Sequence, residues 1–271
     1  MKQTIEELQQ VLKKHKEKYP EMELTDIVKL IYQNEFGGGH LIPDEEASLQ
    51  WIQQEYENCR LSSHEWESPL WESIGNGSYR LSLQCLEEGL AATTLNRMFA
   101  ESAKQIQGSV SGLEQKLALL QEESQSFSEE EIAAYLTDYR EKGYPPVSHS
   151  AHFRQQYAPA YRVVTEAFHQ VYPVCLAIDK VLAKQEGTEP FTIAIDGLCG
   201  GGKTTLARIL EEIYDCNVFH MDDYFLRPEQ RTEERYAQAG GNVDYERFRE
   251  EVLAHLGEPE GITYQPFDCR T

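Results

Sequence analysis

The stretch GLCGGGKTT, residues 197–205, decides how the C-terminal part of this chain is interpreted. It fits the pattern G-x-x-x-x-G-K-[ST] at every fixed position. Glycines at such positions let the backbone bend closely around phosphate oxygens with its N–H groups pointing inward, in conformations that a Cβ atom would forbid. The next residues, TTLARILEEIY, have helical spacing, and a helix N-terminus attracts anions. The stretch therefore predicts a loop and helix that hold the phosphates of a nucleoside triphosphate.

Each residue type in this stretch has an expected task. Lys203 would reach the β- and γ-phosphates of ATP and so take part in catalysis, and Thr204 would supply a hydroxyl to Mg²⁺. The predicted nucleotide-binding residues are Gly197, Gly200, Gly201, Gly202, Lys203, Thr204 and Thr205. A dinucleotide-binding loop does not fit, because Lys203-Thr204-Thr205 occupies the space of the third glycine in G-x-G-x-x-G.

Two runs with strand character flank the loop and helix. FTIAID (residues 191–196) precedes the glycines, and a short run over 217–221 ends at Asp222-Asp223. In a parallel doubly wound sheet, the C-terminal ends of the strands face the ligand. A carboxylate there can take a proton from an attacking hydroxyl or hold Mg²⁺ through water. The other interpretation of the two aspartates is a helix N-cap or a turn.

Three segments together carry a family resemblance. IAIDGLCGGGKTTLA, then VFHMDDYFLR, then GGNVDYERF resemble the uridine kinase-like branch of P-loop kinases, which also includes phosphoribulokinase. The resemblance covers about residues 191–271. It implies transfer of the ATP γ-phosphate, with Mg²⁺, to a hydroxyl of a nucleoside (uridine-like) or a related metabolite. It also implies that Asp222, the first aspartate of a D-x-aromatic-aromatic pattern, is the catalytic base.

The same resemblance implies an acceptor side. Asn242-Val243-Asp244 matches an Asn-x-Asp signature whose aspartate contacts the sugar hydroxyls of the acceptor. ITYQPFDCRT, residues 262–271, resembles a strand pair that closes over the acceptor. The implied acceptor-binding residues are Asp223, Asp244, Phe267 and Asp268.

The region after Pro190 is short for such a domain. About eighty residues follow it, whereas doubly wound domains usually have 100 or more. Strands can be placed near Thr192, Val218 and Ile262, together with two helices. The lid arginines and the adenine-contacting loop of the family are not found. We therefore expect a mainly α domain over 1–186, then an α/β P-loop NTPase domain over 187–271 whose parallel sheet is incomplete at the C-terminus and whose turnover is poor.

The N-terminal region combines helical spacing with several polar segments. Ser128 and Glu131 have capping-box spacing, and GNGSYRLSLQCL alternates after an Asn-Gly turn signal, which predicts a short strand. Three glycines before His40 indicate either close approach to a ligand or a tightly packed turn. The polar candidates are Asn34, Glu35, His40, Asn76, Arg80, His149, His152, Tyr161 and Arg162.

These N-terminal candidates leave alternatives open. His149 and His152, three residues apart on a helix, would bind a metal or be ordinary surface and capping residues. Convergence of Asn34, Glu35, His40, Arg80 and His149 on one pocket would indicate a second enzyme. Otherwise the region has a role that the sequence does not name.

The composition of the chain argues against several classes of binding partner. The net charge is -21 and no run is rich in lysine or arginine, so nucleic acids and acidic membrane surfaces are unfavourable partners. No stretch has the length or apolarity of a membrane span or a signal peptide. The six cysteines are scattered without a C-x-x-C pair, which is typical of a cytoplasmic protein.

Two functions remain in competition. The first is a small-molecule kinase whose partners are ATP and a hydroxylated substrate. The second is an ATP-dependent switch in which the nucleotide controls the helical domain. Acceptor-dependent ADP release separates them, and either form is compatible with a homo-oligomer.

Overall fold

The computed structural model describes residues 2–61, 69–123, 127–186, 190–258 and 261–267. The chain divides into two compact units. The N-terminal unit comprises Met1–Ala183 and Glu212–Tyr214, and the C-terminal unit comprises Lys184–Glu211 and Asp215–Thr271.

Helices make up most of the N-terminal unit. Their bounds are α1 Lys2–Lys18, α2 Leu24–Phe36, α3 Glu45–Leu61, α4 Ala92–Gln105, α5 Val110–Leu117, α6 Glu129–Glu141, α7 Ala151–Tyr157 and α8 Glu166–Leu182. The capping box predicted at α6 is confirmed, because Ser128 accepts from the Glu131 N–H while the Glu131 carboxylate accepts from the Ser128 N–H. No helix in the described residues is both long enough and apolar enough to cross a bilayer.

A three-stranded antiparallel sheet completes this unit, in the order β1 (Trp71–Gly75), β2 (Ser78–Ser82) and β3 (Tyr161–Thr165). The predicted strand after the Asn-Gly signal is confirmed as β2. Asn76 and Gly77 have φ values of 53° and 65°, the left-handed conformation that a tight hairpin turn requires.

One face of the sheet packs on the main hydrophobic core. Ile27, Leu30 and Ile31 of α2 are fully buried there with Leu8 of α1 and Ile74 of β1. Burying four or five such side chains stabilises the unit by about 1.5–3 kcal/mol each. The polar residues of β2 on this face therefore lie against a well-packed core, which restricts the positions of their side chains.

The glycines at 37–39 form a tightly packed turn at the end of α2. A Cβ atom at Gly37, whose φ is +65°, would lie 2.8 Å from Ile106, and one at Gly38 would lie 2.6 Å from Phe99. Both distances are shorter than carbon atoms tolerate. Of the two interpretations of this turn, close packing against the α4 side of the unit has direct structural support.

The α/β part of the predicted fold class is wrong. In the described residues of the C-terminal unit there is no parallel sheet, and FTIAID (191–196) is an irregular segment whose residues 191–194 are exposed. The runs near Val218 and Ile262 are irregular as well, and the strand-like pairing described in the unit is a single antiparallel bridge between Phe225 and Val243. A strand is stable only where its N–H and C=O groups pair with a neighbouring strand, and none of these runs pairs with another.

The C-terminal unit consists instead of short helices and loops. Its helices are α9 Lys203–Ile213, whose residues 203–211 belong to this unit, α10 Glu233–Tyr236 and α11 Tyr245–Glu251. Three-residue and four-residue 3₁₀ turns at Met221–Tyr224, Pro228–Gln230 and Leu253–His255 connect them. The fully buried Tyr224 provides the centre of the segment 219–267.

Candidate functional site

The loop before α9 uses glycine for its backbone conformation. Gly200 and Gly202 have φ values of +74° and +84°, and Gly197 has +153°, a region that L side chains rarely adopt. A Cβ atom at any of these three positions would meet no atom within 4 Å. Backbone torsion rather than lack of space therefore selects glycine at these three positions.

Lys203 begins α9 and closes the loop. Its Nζ donates hydrogen bonds to the carbonyl oxygens of Gly197 (2.8 Å) and Leu198 (3.0 Å). The ammonium group thus spans the loop from its last residue to its first. Both contacts are exposed to solvent, so a phosphate oxygen can replace a carbonyl without a large desolvation cost.

The first turn of α9 adds further donors. The first backbone hydrogen bond into the helix runs from the Leu206 N–H to the Gly202 carbonyl, which leaves the N–H groups of residues 203–205 without intrahelical acceptors. Thr204 and Thr205 are exposed at the same end. The loop, Lys203 and the helix N-terminus therefore form one continuous set of donors. Two loop N–H groups are already engaged, because that of Gly197 donates to the Asp196 carboxylate (2.7 Å) and that of Gly201 donates to the Leu198 carbonyl (3.0 Å).

The two aspartates after the second predicted strand differ in their surroundings. Asp222 is exposed in the turn Met221–Tyr224. Asp223 is half-buried, and its carboxylate accepts from the Tyr264 hydroxyl at 3.1 Å. Its backbone carbonyl accepts from the Phe267 N–H (2.9 Å) and from the Arg247 guanidinium (2.6 Å). Asp223 and Phe267, two of the predicted acceptor residues, are therefore brought together.

Asp244 joins the same neighbourhood as a structural cap. It is 2 % exposed, its N–H donates to the Tyr224 carbonyl at 2.6 Å, and its carboxylate accepts from the Arg247 N–H at the start of α11. The Arg247 guanidinium also lies 3.8 Å from that carboxylate. The Asp244 carboxylate is thus already engaged. Asp268, the remaining predicted acceptor residue, lies outside the described residues.

Aromatic packing around Tyr224 holds these groups in place. The Tyr224 ring stacks on Tyr264 (centroids 5.5 Å apart) and meets the edge of Phe248 (5.1 Å), while the Arg247 guanidinium lies 4.4 Å from its centroid. Burial raises the pKa of Tyr224 to about 12. Sequence reasoning missed Arg247 and Tyr264. Arg247 follows Asp244 by three residues in GGNVDYERF, the spacing of a helix-surface pair, and could have been found.

The N-terminal polar candidates form two clusters rather than one pocket. Arg80 donates from Nε and Nη2 to the Gln33 side-chain oxygen (3.1 and 2.8 Å), and that oxygen lies 3.3 Å from the Tyr161 hydroxyl, which in turn contacts His149 Nε2 at 2.7 Å. Arg80 and His149 therefore do converge, through Gln33 and Tyr161.

Asn34, Glu35 and His40 lie elsewhere. Lys116, almost fully buried, contacts the Glu35 carboxylate at 2.6 Å and the Asn34 carbonyl at 3.3 Å. The His40 ring packs edge-on against Tyr32. The five-residue pocket that would have indicated a second enzyme is therefore not formed.

His149 has a defined protonation state. Burial lowers its pKa to about 4, against the opposing effect of a 2.9 Å hydrogen bond to the Asp26 carboxylate. The neutral ring donates from Nδ1 to that carboxylate, so Nε2 accepts the Tyr161 hydroxyl proton. His152, by contrast, is paired with Glu21 at 3.2 Å. Among the described residues no group of three or more His, Cys, Asp or Glu side chains is placed to hold a metal ion.

No protein-family model, no curated protein and no solved structure matches this chain. A function for the chain has therefore to be derived from its own residues.

Proposed function

We propose that the chain is an ATP-dependent small-molecule kinase that transfers the γ-phosphate to a hydroxyl of a nucleoside, uridine-like, or of a related metabolite. The observation that carries the proposal is the bridge from Lys203 Nζ to the carbonyls of Gly197 and Leu198 across a loop of left-handed glycines. This arrangement places an ammonium group at the start of α9, beside the N–H groups of its first turn that lack intrahelical acceptors, and such donors suit a polyphosphate.

The residues at the start of α9 are also proposed to hold the Mg²⁺ ion and the nucleotide phosphates. ATP binds with Mg²⁺, and the exposed hydroxyl of Thr204 at the start of α9 is suited to reach that ion. Lys203 leaves its two carbonyl partners for the β- and γ-phosphate oxygens. This exchange costs little because both the donor and the acceptors are already accessible to water.

The proposed base is Asp222. Within the described residues its carboxylate has no hydrogen-bond or ion-pair partner, whereas the Asp223 carboxylate is held by Tyr264. A free carboxylate can accept the proton of the acceptor hydroxyl as its oxygen attacks the γ-phosphorus and ADP departs. Asp223 and Phe267 form the acceptor side, and the buried Asp244 supports it by holding Arg247, which contacts the Asp223 carbonyl.

The setting is proposed to be the cytoplasm. The five cysteines of the described residues, Cys59, Cys85, Cys175, Cys199 and Cys216, are free thiols, as expected in a reducing compartment. The net charge of -21 supports small-molecule partners over nucleic acid.

ADP release with Mg-ATP and a panel of nucleosides and small hydroxylated metabolites tests the proposal. Lys203→Ala is expected to abolish ATP binding, while Lys184→Ala, at an exposed lysine outside the loop, leaves it unchanged. Asp222→Asn should lower acceptor-dependent ADP release by about 10²- to 10⁴-fold while ATP still binds. Asp215→Asn, at another exposed aspartate of the same unit, is the matched control.

The outcomes discriminate between the two functions. An acceptor that stimulates ADP release in the wild type but not in Asp222→Asn supports both the kinase and its base. Slow ATP hydrolysis that no acceptor stimulates, equal in wild type and Asp222→Asn, would favour the nucleotide-dependent switch. Unchanged ATP binding in Lys203→Ala would remove the basis for both.

A further inference from the structure

The sheet of the N-terminal unit carries a polar recess that the kinase proposal does not use. Arg80 and Ser82 lie two residues apart in β2 and therefore on one face. Glu72 is the cross-strand neighbour of Arg80, and Tyr161 is that of Ser82. With Tyr19 these side chains line a recess, here named the Arg80 recess, which Phe153 and residues 158–160 complete.

The Arg80 guanidinium has more N–H donors than the protein acceptors around it use. It is 3 % exposed, and its guanidinium has five N–H hydrogens. Three of them bond to the protein, namely two to the Gln33 side-chain oxygen and one to Glu72 (3.1 Å). The other two have no acceptor within the described residues. Buried cations normally fill their donors, so the two remaining hydrogens point to a ligand or to water.

Ser82 provides a third donor beside them. It is 3 % exposed, and its oxygen already accepts the Gln84 N–H at 3.2 Å. Its hydroxyl hydrogen has no acceptor within the part of the chain described by the structure. The acceptors of the recess, in contrast, are occupied, because the Glu72 carboxylate receives hydrogen bonds from Lys18 (2.9 Å), Tyr19 (2.8 Å) and Arg80. The recess therefore offers donors to an incoming group.

The local charge selects the kind of acceptor. Arg80 and Lys18 bring two positive charges to the one negative charge of Glu72, whose carboxylate also contacts His15 Nε2 at 3.1 Å, so the recess has at least one positive charge in excess. A monoanion matches this excess, whereas a dianion such as phosphate would also meet the Glu72 carboxylate at close range. The enclosed free space of about 20 Å³ holds little more than one water-sized group, so it admits a single oxygen of a small anion while the rest of the ligand lies at the open mouth of the recess.

We propose that the Arg80 recess binds a small monocarboxylate. Its oxygens accept from the two remaining Arg80 N–H groups and from the Ser82 hydroxyl. A short apolar portion of the ligand lies against the rings of Tyr19 and Phe153. The N-terminal unit is then a carboxylate-binding module.

Propionate is the probe, measured by saturation-transfer difference NMR with the full-length chain. Propionamide has the same shape without the charge, and inorganic phosphate, at a mildly alkaline pH where it is mainly the dianion, is the dianionic competitor. We expect a saturable signal for propionate, a much weaker one for propionamide, and no displacement of propionate by phosphate at matched ionic strength.

Variants connect the signal to the recess. Ser82→Ala should weaken propionate binding about fivefold, the equivalent of one hydrogen bond of about 1 kcal/mol, and Arg80→Lys should weaken it more than tenfold. Arg162→Lys is the matched control, because Arg162 is also nearly buried on the sheet but points to the opposite face and pairs with Glu55 at 2.7 Å. If Arg80→Lys does not fold, the comparison of Ser82→Ala with Arg162→Lys decides.

Three results would overturn the proposal. They are the absence of a propionate signal, an equal signal from propionamide, and displacement of propionate by phosphate. If the wild type and Ser82→Ala bind propionate with equal affinity, the carboxylate does not bind in this recess, and the proposal fails as well. None of these residues belongs to the segment 197–267, so failure here leaves the kinase proposal untouched.

Discussion

Glu72 is the residue whose removal tests the buried charge arrangement most directly. Its carboxylate is the anionic partner of the nearly buried Arg80 and also accepts from Lys18 and Tyr19. Burial alone would raise the pKa of Glu72, but the contacts of His15 and Arg80 outweigh burial and hold this pKa well below its ordinary value. The carboxylate is therefore ionised throughout the neutral range.

Glu72→Gln keeps the size of the side chain and removes its charge. Arg80 would then be a buried cation whose protein acceptors, the amide oxygens at positions 33 and 72, are both neutral. Removal of one partner of a buried ion pair costs about 3–5 kcal/mol. For a unit of this size, a loss of 1 kcal/mol lowers the melting temperature by about 2–4 °C. We expect Glu72→Gln to melt roughly 6–20 °C below the wild type.

Tryptophan fluorescence is the assay, because all three tryptophans, at positions 51, 66 and 71, belong to the N-terminal unit. The transition therefore reports on this unit alone. The control is Glu114→Gln, which breaks a bidentate pair with Arg140 (2.8 Å for both contacts) on a partly exposed surface. Such surface pairs contribute about 1 kcal/mol or less. Equal losses in the two variants would refute the conclusion that Arg80 depends on Glu72 as a buried counter-charge.

Three further predictions address packing, nucleotide binding and pH. Gly38→Ala should destabilise the unit by about 1–3 kcal/mol in urea titrations, because its Cβ would press on the buried Phe99 ring. Gly39→Ala is the control, and an equal loss of stability in the two variants would contradict the packing argument. N-ethylmaleimide should label the exposed Cys199 and Cys216, and Mg-ATP should slow labelling at Cys199 alone, measured by peptide mass spectrometry; protection of both or of neither would count against a nucleotide in the loop. Since burial lowers the pKa of His149 to about 4, whereas an unfolded histidine titrates near about 6.5, protons bind the unfolded chain first and stability falls as the pH drops below 6.5. The wild type should lose about 2 kcal/mol more than His149→Asn between about pH 7.5 and pH 5, and parallel stability curves would show that the buried ring does not control this loss.

The sequence predicted best what depends on a few adjacent residues. The glycine torsions of the loop 197–202, the helix that begins at Lys203 and the capping box at Ser128 are set by neighbours within four or five positions. The hairpin at Asn76-Gly77 is of the same kind. Such features follow from backbone sterics and local hydrogen bonds, and they can be derived without knowledge of the rest of the chain.

The parallel sheet could not be derived in this way, and its prediction was wrong. FTIAID has the β-branched and aromatic composition of a strand, but composition only makes a segment suitable for a pleated surface. Whether it becomes a strand depends on another segment that pairs with it. In the described part of the C-terminal unit no segment does so.

The Arg80 recess was also beyond sequence reasoning, although its members were partly visible. Arg80 was named as a candidate, but its partners come from α2, β1 and β3, separated from it by 8 to 81 positions along the chain. One signal was available. Ser78, Arg80 and Ser82 alternate with Tyr79 and Leu81, which marks the three polar residues as one face of the strand, but this pattern predicts that face to be exposed, whereas all three are nearly buried.

Both candidate sites are proposed to bind anions, although the chain as a whole is strongly acidic. Lys203 bonds to carbonyl oxygens, and Arg80 and Lys18 share a single carboxylate, so each site holds positive charge that is not fully neutralised. The net charge of -21 acts over long distances, yet at physiological salt it is screened beyond about 8 Å. A polyanion that needs many contacts across the surface is repelled, because it cannot avoid the acidic side chains. A compact anion whose charged atoms lie within hydrogen-bond distance of Lys203 or Arg80 is governed by these local donors instead.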